Sequence, residues 1–284
     1  MQVKFPATFE EQLNKLLING CQIEDEQFCR QVLERVSYYR LSAYFIPFKK
    51  KGEYIEGTSF RRVYRIYEFD RKVRNLLFSA IEEIETYLRV QFAHYFSHTY
   101  GALGYMDATN FSERHDHAKF QRLLREAIAS NATTPSIAHH IEKYDGNFPL
   151  WVIIELFTFG MLSKFYADLK TRDRKVLAKK LANSSSENLK SWLYCLTELR
   201  NLCAHYSRLY NYPFKSIPRM PSNVDLNPTR TLFFDILVIK WMHFDLERWR
   251  SVFLPQLTAL IEEYYDDIDL KEIGFPINWE ELLR

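Results

Sequence analysis

A chain of 284 residues with only 8 glycines and 10 prolines can bury a sizeable core and favours long helices over tight turns, in one large domain or a small one docked on a larger. Its four cysteines, at 21, 29, 195 and 203, include no C-x-x-C pair, which excludes a disulfide framework and a zinc ribbon and reads as buried, reduced thiols of a cytoplasmic protein. The apolar runs Leu150–Phe165 and Leu232–Phe244 are too short for a bilayer and are broken by Glu155, Lys164, Asp235 and Lys240, so no membrane partner is expected. The first dozen residues carry acids and Pro6 without a signal-type apolar core, and export is not expected.

In chain order, Thr8-Phe-Glu-Glu11 has the capping-box pattern that opens a helix through about Leu17, ended by Ile18-Asn-Gly20. A second helix is predicted over Asp25–Arg35. A short one follows from Tyr38 toward Pro47, and Lys49-Lys-Lys-Gly-Glu53 reads as a turn or hairpin-like loop. From Phe60 to Ser97 the residues Val63, Ile66, Val73, Leu77, Ala80, Ile81, Ile84, Leu88 and Phe92 recur mostly at three or four, the spacing of one long amphipathic helix that Gly101 and Gly104 end. Helices are expected at Ser112–Ser130, Ser136–Tyr144, Leu150 to about Leu169, from Ser184-Ser-Ser-Glu187 through Leu199, and at Thr229–Trp249 and Pro255–Tyr265. Four prolines between Pro213 and Pro228 forbid a helix there and predict an irregular loop. No repeat and no convincing strand pair is visible, so the fold class is all-α, a multi-helix bundle.

Charge is unevenly spread. Arg30–Arg74 holds twelve Lys/Arg against five Asp/Glu, and Asp245–Arg284 holds ten acids against four bases. The basic segment is interleaved with Tyr38, Tyr39, Tyr44, Phe45, Phe48, Tyr54, Phe60, Tyr64 and Tyr67, a pattern that pairs phosphates and stacks unpaired bases. Its candidate RNA contacts are Tyr39, Arg40, Lys49, Lys50, Arg61 and Arg62. The structural alternative is a solvated basic face whose aromatics point into the core.

The chemistry concentrates in Glu198-Leu-Arg-Asn-Leu-Cys-Ala-His-Tyr-Ser-Arg208. Arg200 supplies a permanent fork-shaped cation, Asn201 an amide, and His205 a group that titrates near neutral pH. These suffice to cut RNA without a metal, because the attacking 2′-hydroxyl belongs to the substrate. Asn201 and His205 share a helix face, whereas Arg200 and His205, five apart, lie about 140° around the axis. A set so incomplete in one chain implies a symmetric dimer in which a second helix supplies the other half. Arg208 and Asn211 are candidates for adjacent phosphates, and Glu82, Glu85 and Arg89 on the long helix for support, a carboxylate there holding the Arg200 guanidinium. In the structural alternative, Arg200 pairs with Glu198 or Glu82 while His205 donates to a backbone carbonyl. His115-Asp-His117 and His139-His140 lack the i, i+4 spacing of a helical metal pair; His94 and His98 have it without a third ligand. No metal and no cofactor is expected.

Arg200 to His205 matches the Arg-x4-His signature of the HEPN superfamily, with Asn201 as the polar residue after the arginine. Tyr38-Tyr-Arg-Leu-Ser-Ala-Tyr44 with Pro47-Phe48, Phe69-Asp-Arg-Lys72, Ile81-Glu-Glu-Ile-Glu-Thr-Tyr-Leu-Arg89, Pro149-Leu-Trp151 and Gly274-Phe-Pro276 resemble its Abi-like (abortive-infection) branch. The resemblance implies a HEPN-type bundle over 59–284 with an RNA-contacting helical cap over 1–58. It implies a bacterial phage-defence or toxin-like endoribonuclease, akin to the nuclease halves of RNA-guided type VI CRISPR effectors and often partnered by a small RNA. The alternative on the same scaffold is a non-catalytic RNA-binding or regulatory module.

Overall fold

A computed structural model describes residues 5–284, so the first four residues of the stretch read for a leader lie outside the described residues. The expected all-α bundle is what forms. Helix α1 (Phe9–Ile18) opens on Thr8 with both halves of the capping box in place, and α2 (Glu26–Arg35) opens on Asp25. After α3 (Tyr38–Ser42) and a 3₁₀ turn at Ile46–Phe48 comes a small hairpin, β1 (Lys49–Lys50) and β2 (Glu53–Tyr54), at the stretch read as a turn or hairpin-like loop, with a short strand pair that was not expected. Lys51 and Gly52 both take positive φ (53° and 97°), the backbone that lets a two-residue turn follow strand twist.

Helix α4 (Phe60–Tyr100, 41 residues) spans about 60 Å and is the spine of the molecule. All nine apolar residues whose spacing marked it are buried. Helices α5 (His117–Ser130) and α6 (Pro135–Lys143) follow. The single helix expected over Leu150–Leu169 is in fact two, α7 (Leu150–Ile153) and α8 (Phe159–Asp168), separated by a 3₁₀ turn and an extended Phe157. The break has one local and one distant cause: the Thr158 side chain caps α8, and the freed Phe157 carbonyl accepts from Arg89 Nη2 on α4 at 2.8 Å.

Helix α9 (Thr171–Ala182) was not anticipated, because its five Lys/Arg residues dilute a sparse apolar stripe of Leu177, Ala178 and Leu181. Helix α10 (Ser186–Ala204) starts one residue later than the serine run suggested. Ser185 caps it through the Asn188 amide, while Glu187 pairs with Arg174 at 3.0 Å. Helix α11 (Leu232–Met242) is apolar on nearly every side, Asp235 and Lys240 excepted, and is accordingly buried almost throughout. The last long element runs α12 (Leu246–Arg248), a π turn (Trp249–Phe253), α13 (Leu254–Glu263), and the chain closes on α14 (Trp279–Leu283). The π turn sits immediately before Pro255, whose ring removes a helical N–H donor.

The two charge excesses meet inside one molecule. Arg65 pairs with Asp267 at 2.8 Å, Lys72 with Glu263 at 2.6 Å, and Arg62 Nε donates to the Asp267 carbonyl at 2.9 Å. The interleaved aromatics follow the core alternative: Tyr44, Phe45, Tyr54 and Phe60 are buried, and Tyr38, Phe48, Tyr64 and Tyr67 are packed against the core. Tyr39 is the exception, 88 % exposed.

One buried polar centre ties α3 and α4 to the chain that leaves α10. The Asp70 carboxylate accepts from Tyr44 Oη at 2.6 Å, from the Tyr210 N–H at 2.8 Å, from the Leu209 N–H at 3.1 Å, and from Arg74. Arg74 also donates to the Ser207 carbonyl at 3.1 Å. Around it, Arg40 Nη1 donates to the Tyr206 carbonyl at 2.7 Å, and Arg208 Nη1 donates back to the Ala43 carbonyl. Asp70 and Arg74 are almost wholly buried, and burial pushes the Asp70 carboxyl up against the opposing charge of Arg74 and the donors around it. Asp70→Ala should therefore strand a buried guanidinium and two amides, at roughly 3–5 kcal/mol, lowering Tm by about 5–10 °C in a calorimetric scan. A variant melting with the wild type would show that this centre does not hold the fold.

Candidate functional site

Helix α10 runs along α4 and ends where the Asp70 centre takes over. His205 is its C-cap residue, and Tyr206 adopts the left-handed conformation (φ 55°) that reverses the chain. The Tyr206 N–H reaches the Cys203 carbonyl at 3.1 Å and the Ser207 N–H the Leu202 carbonyl at 2.8 Å, the paired bonds of a Schellman turn. A tyrosine rather than glycine in that turn costs about 1 kcal/mol, which the carbonyl and amide anchors on either side offset.

The His205 and Asn201 side chains are exposed and line one open groove with Tyr194, Thr197, Glu198 and Lys215. Among the described residues no side-chain hydrogen bond engages the imidazole. Tyr194, Thr197, Glu198, Asn201 and His205 recur at three and four along α10, so extending the Asn201–His205 face backward two turns in sequence would have found Tyr194, which is 62 % exposed.

Arg200 does not enter that groove. Its guanidinium turns toward α4, with Nε 3.4 Å from Glu85 Oε2 and the head over the Phe78 ring at 5.8 Å. Glu85, buried, is held in turn by Arg89 Nη2 at 2.6 Å. Glu85 and Arg89 thus sit where support for Arg200 was expected. Glu82 is exposed and takes no part.

Among the described residues Arg200 pairs with neither Glu198 nor Glu82, the partners of the structural alternative, but with Glu85. Glu198 is engaged elsewhere, accepting from the Lys215 N–H at 2.9 Å, the Ser216 N–H at 3.2 Å and Ser216 Oγ at 3.1 Å. Those bonds, with Trp192 Nε1 to the Arg219 carbonyl at 2.7 Å, fasten the proline-rich loop along α10 as one wall of the groove.

The residues named as RNA contacts divide. Arg40 and Arg208 stand beside the site, with one guanidinium nitrogen each committed to a backbone carbonyl; Asn211 is half-buried at φ 48°. Lys49, Lys50, Arg61 and Arg62 lie at the far end of α4, where Arg62 and Glu85 are about 35 Å apart along the axis. There Lys49 lies over Tyr54 at 5.0 Å and Arg61 over Phe28 at 4.4 Å, while Lys50 is exposed.

The histidine pairs also sort themselves. His115 and His117 precede or begin α5 rather than sharing a helix, and their rings meet, Nε2 of His115 to Nδ1 of His117 at 3.2 Å. Asp168 holds His115 Nδ1 at 2.9 Å. His94 and His98 stack on the outer face of α4 at 4.1 Å between centroids. Among the described residues no group of three or more His, Cys, Asp or Glu side chains is arranged to hold a metal ion. No helix among the described residues is long and apolar enough to cross a membrane. All four cysteines are free and buried, and burial pushes the thiols of Cys21, Cys29 and Cys203 up to about 12.

With this geometry in hand, the comparisons give one match. The family model of the Abi-like proteins covers residues 31–211, from within α2 through the turn after His205. The chain belongs to the Abi-like family, whose name points to abortive infection, the sacrifice of a phage-infected bacterial cell. No curated protein and no solved structure matches it.

Behind the groove, on α11, Asp235 is 2 % exposed and its Oδ2 has no partner. Burial first, and then the charge of Glu198, push its carboxyl well above the usual carboxylate range. In the unfolded chain the group ionises near pH ~4, while the native state keeps the proton to higher pH, so the native state binds more protons above that point and stability falls as pH rises. Asp235→Asn removes this loss. Its Tm advantage over the wild type should widen as pH climbs from about 4, and a gap constant with pH would contradict a protonated Asp235.

Proposed function

We propose that the protein is a metal-independent endoribonuclease of an abortive-infection system, of HEPN type, working as a homodimer. The observation that carries the reading is His205: an exposed imidazole that takes no hydrogen bond among the described residues, at a helix end that a buried polar centre and a capped turn hold still. Rigid support behind a free titratable group is what general acid–base work requires and what a purely structural histidine does not.

Cleavage follows from the residue types. The substrate's 2′-hydroxyl attacks the adjacent phosphorus; the 2′-oxygen to phosphorus bond forms as the bond to the 5′-oxygen breaks. His205 of one protomer takes the 2′-hydroxyl proton, and the second protomer's imidazole, in its protonated form, gives one to the leaving 5′-oxygen. Arg200 faces the extra negative charge on the pentacoordinate phosphorus, with Asn201 orienting the phosphate. Arg200 turns to Glu85 rather than into its own chain's groove, which supports the reading that the guanidinium and imidazole meeting one phosphate are drawn from two copies. Control by a structured small RNA belongs to the same reading, with the exposed Tyr39, Lys49 and Lys50 of the N-terminal cap as its contacts.

The test is direct. Purified protein with EDTA present should cut single-stranded RNA and leave DNA intact, with 2′,3′-cyclic phosphate and 5′-hydroxyl ends by mass spectrometry. Arg200→Ala and His205→Ala should each lower the rate by about 100-fold or more without moving Tm. If both variants bind RNA normally and RNA is cut by none of the three proteins, the non-catalytic RNA-binding module is the correct reading; cutting of DNA, or loss of activity in EDTA, overturns the chemistry.

A further inference from the structure

The His205 groove is the end of something larger. Tyr194 and Thr197 of α10 line both that groove and a neighbouring cleft of about 1370 Å³ between α8, α10, the start of α9 and the proline-rich loop. The floor of the cleft is low because α8 turns Gly160, Ser163 and Ala167 toward it, small side chains at i, i+3 and i+7. Six cations stand around it against three acids. Two of the acids are already answered, Asp168 by Lys164 at 2.6 Å and Glu187 by Arg174 at 3.0 Å. Arg114, Lys170, Lys190 and Arg219 then face only Glu113, a local surplus of three (four less one) in a chain whose net charge is +2.

The geometry points to this cleft as the track of a single-stranded RNA, several nucleotides long, that delivers its backbone to His205. A cationic channel of this kind follows a phosphate backbone without reading sequence, and an exposed aromatic ring in its path stacks an unpaired base. Tyr194 stands at the junction, where a base stacked on it leaves the next phosphate beside Asn201 and His205. A duplex offers no free base to that ring, and in-line attack by a 2′-hydroxyl needs a strand free to rotate, so the track takes single strands. None of the cleft cations belongs to the basic Arg30–Arg74 segment, two of whose cations, Arg65 and Lys72, pair with C-terminal acids. The track deepens the endoribonuclease reading of His205, and its test separates the two.

Binding of a short fluorescent 2′-O-methyl RNA strand, which cannot be cut, is followed by anisotropy across a salt series, using the full chain. The double reversal Arg114→Glu/Lys190→Glu should weaken binding at least about tenfold and flatten the log–log salt slope by about 1.4, two phosphate contacts at ~0.7 each. Tyr194→Ala should weaken it at least about fivefold with the slope unchanged. Lys143→Glu/Lys180→Glu, an equal charge change on exposed faces outside the cleft, should leave affinity within about twofold, and a duplex of the same sequence should bind more weakly than the strand. Equal losses from both double reversals, no loss from the cleft reversal, or equal affinity for duplex and strand would each overturn the track; matching Tm values for all variants keep the comparison one of binding. If binding follows the cleft while uncapped RNA with free 2′-hydroxyls stays uncut, the track stands and the endoribonuclease reading alone falls.

Discussion

The carboxylate of Asp70 is the point on which the arrangement depends. It lies out of water on the spine helix and gathers a phenol, a guanidinium and two backbone amides, so three separate stretches of chain share one buried charge. A charge that deep is tolerated only because every lone pair finds a donor, and that condition fixes the path of Ser207–Tyr210 to within hydrogen-bond tolerance. The residue just before that path begins is Tyr206, and the one before it is His205. Placement of the imidazole is thus a consequence of electrostatic satisfaction some turns away.

The same logic explains why motifs scattered over the chain belong together. Tyr44 and Arg40 sit in the Tyr38–Tyr44 stretch, Asp70 in Phe69-Asp-Arg-Lys72, Glu85 and Arg89 in Ile81–Arg89. The first two stretches hold the turn after α10, and the third holds Arg200 near its end. Each is a support for one helix terminus rather than a reagent. An Arg/His pair alone is a weak sign; an Arg/His pair braced from three directions, inside a family match spanning residues 31–211, is a much stronger one.

Bracing and openness are distributed unequally across α10. Its α4-facing side carries Leu189, Leu193, Leu196 and Leu199 in the core, while Tyr194, Asn201 and His205 face solvent along the groove that joins the basic cleft. Glu198 spends its charge on fastening the proline-rich loop as the groove's wall, which keeps a carboxylate near the site without letting it capture the arginine.

Period and local chemistry made much of this readable in the residues alone. The nine buried positions of α4, the Thr8 capping box, the termination at Gly101 and the proline-rich loop all follow from spacing, capping and backbone restriction, which act over one or two helical turns. Where the chain had to meet itself at a distance, local reasoning had no purchase. The split of α7 from α8 depends on Arg89 reaching the Phe157 carbonyl; the answer to the basic segment's charge lies some 200 residues on, at Asp267; Arg200 and His205 look to different sides because α4 claims one of them. The basic cleft draws on α8, α9, α10 and a loop, with no run of lysines in any of them. Spacing along one helix is written in its residues, but which distant groups desolvate and neutralise one another is decided only when the helices pack.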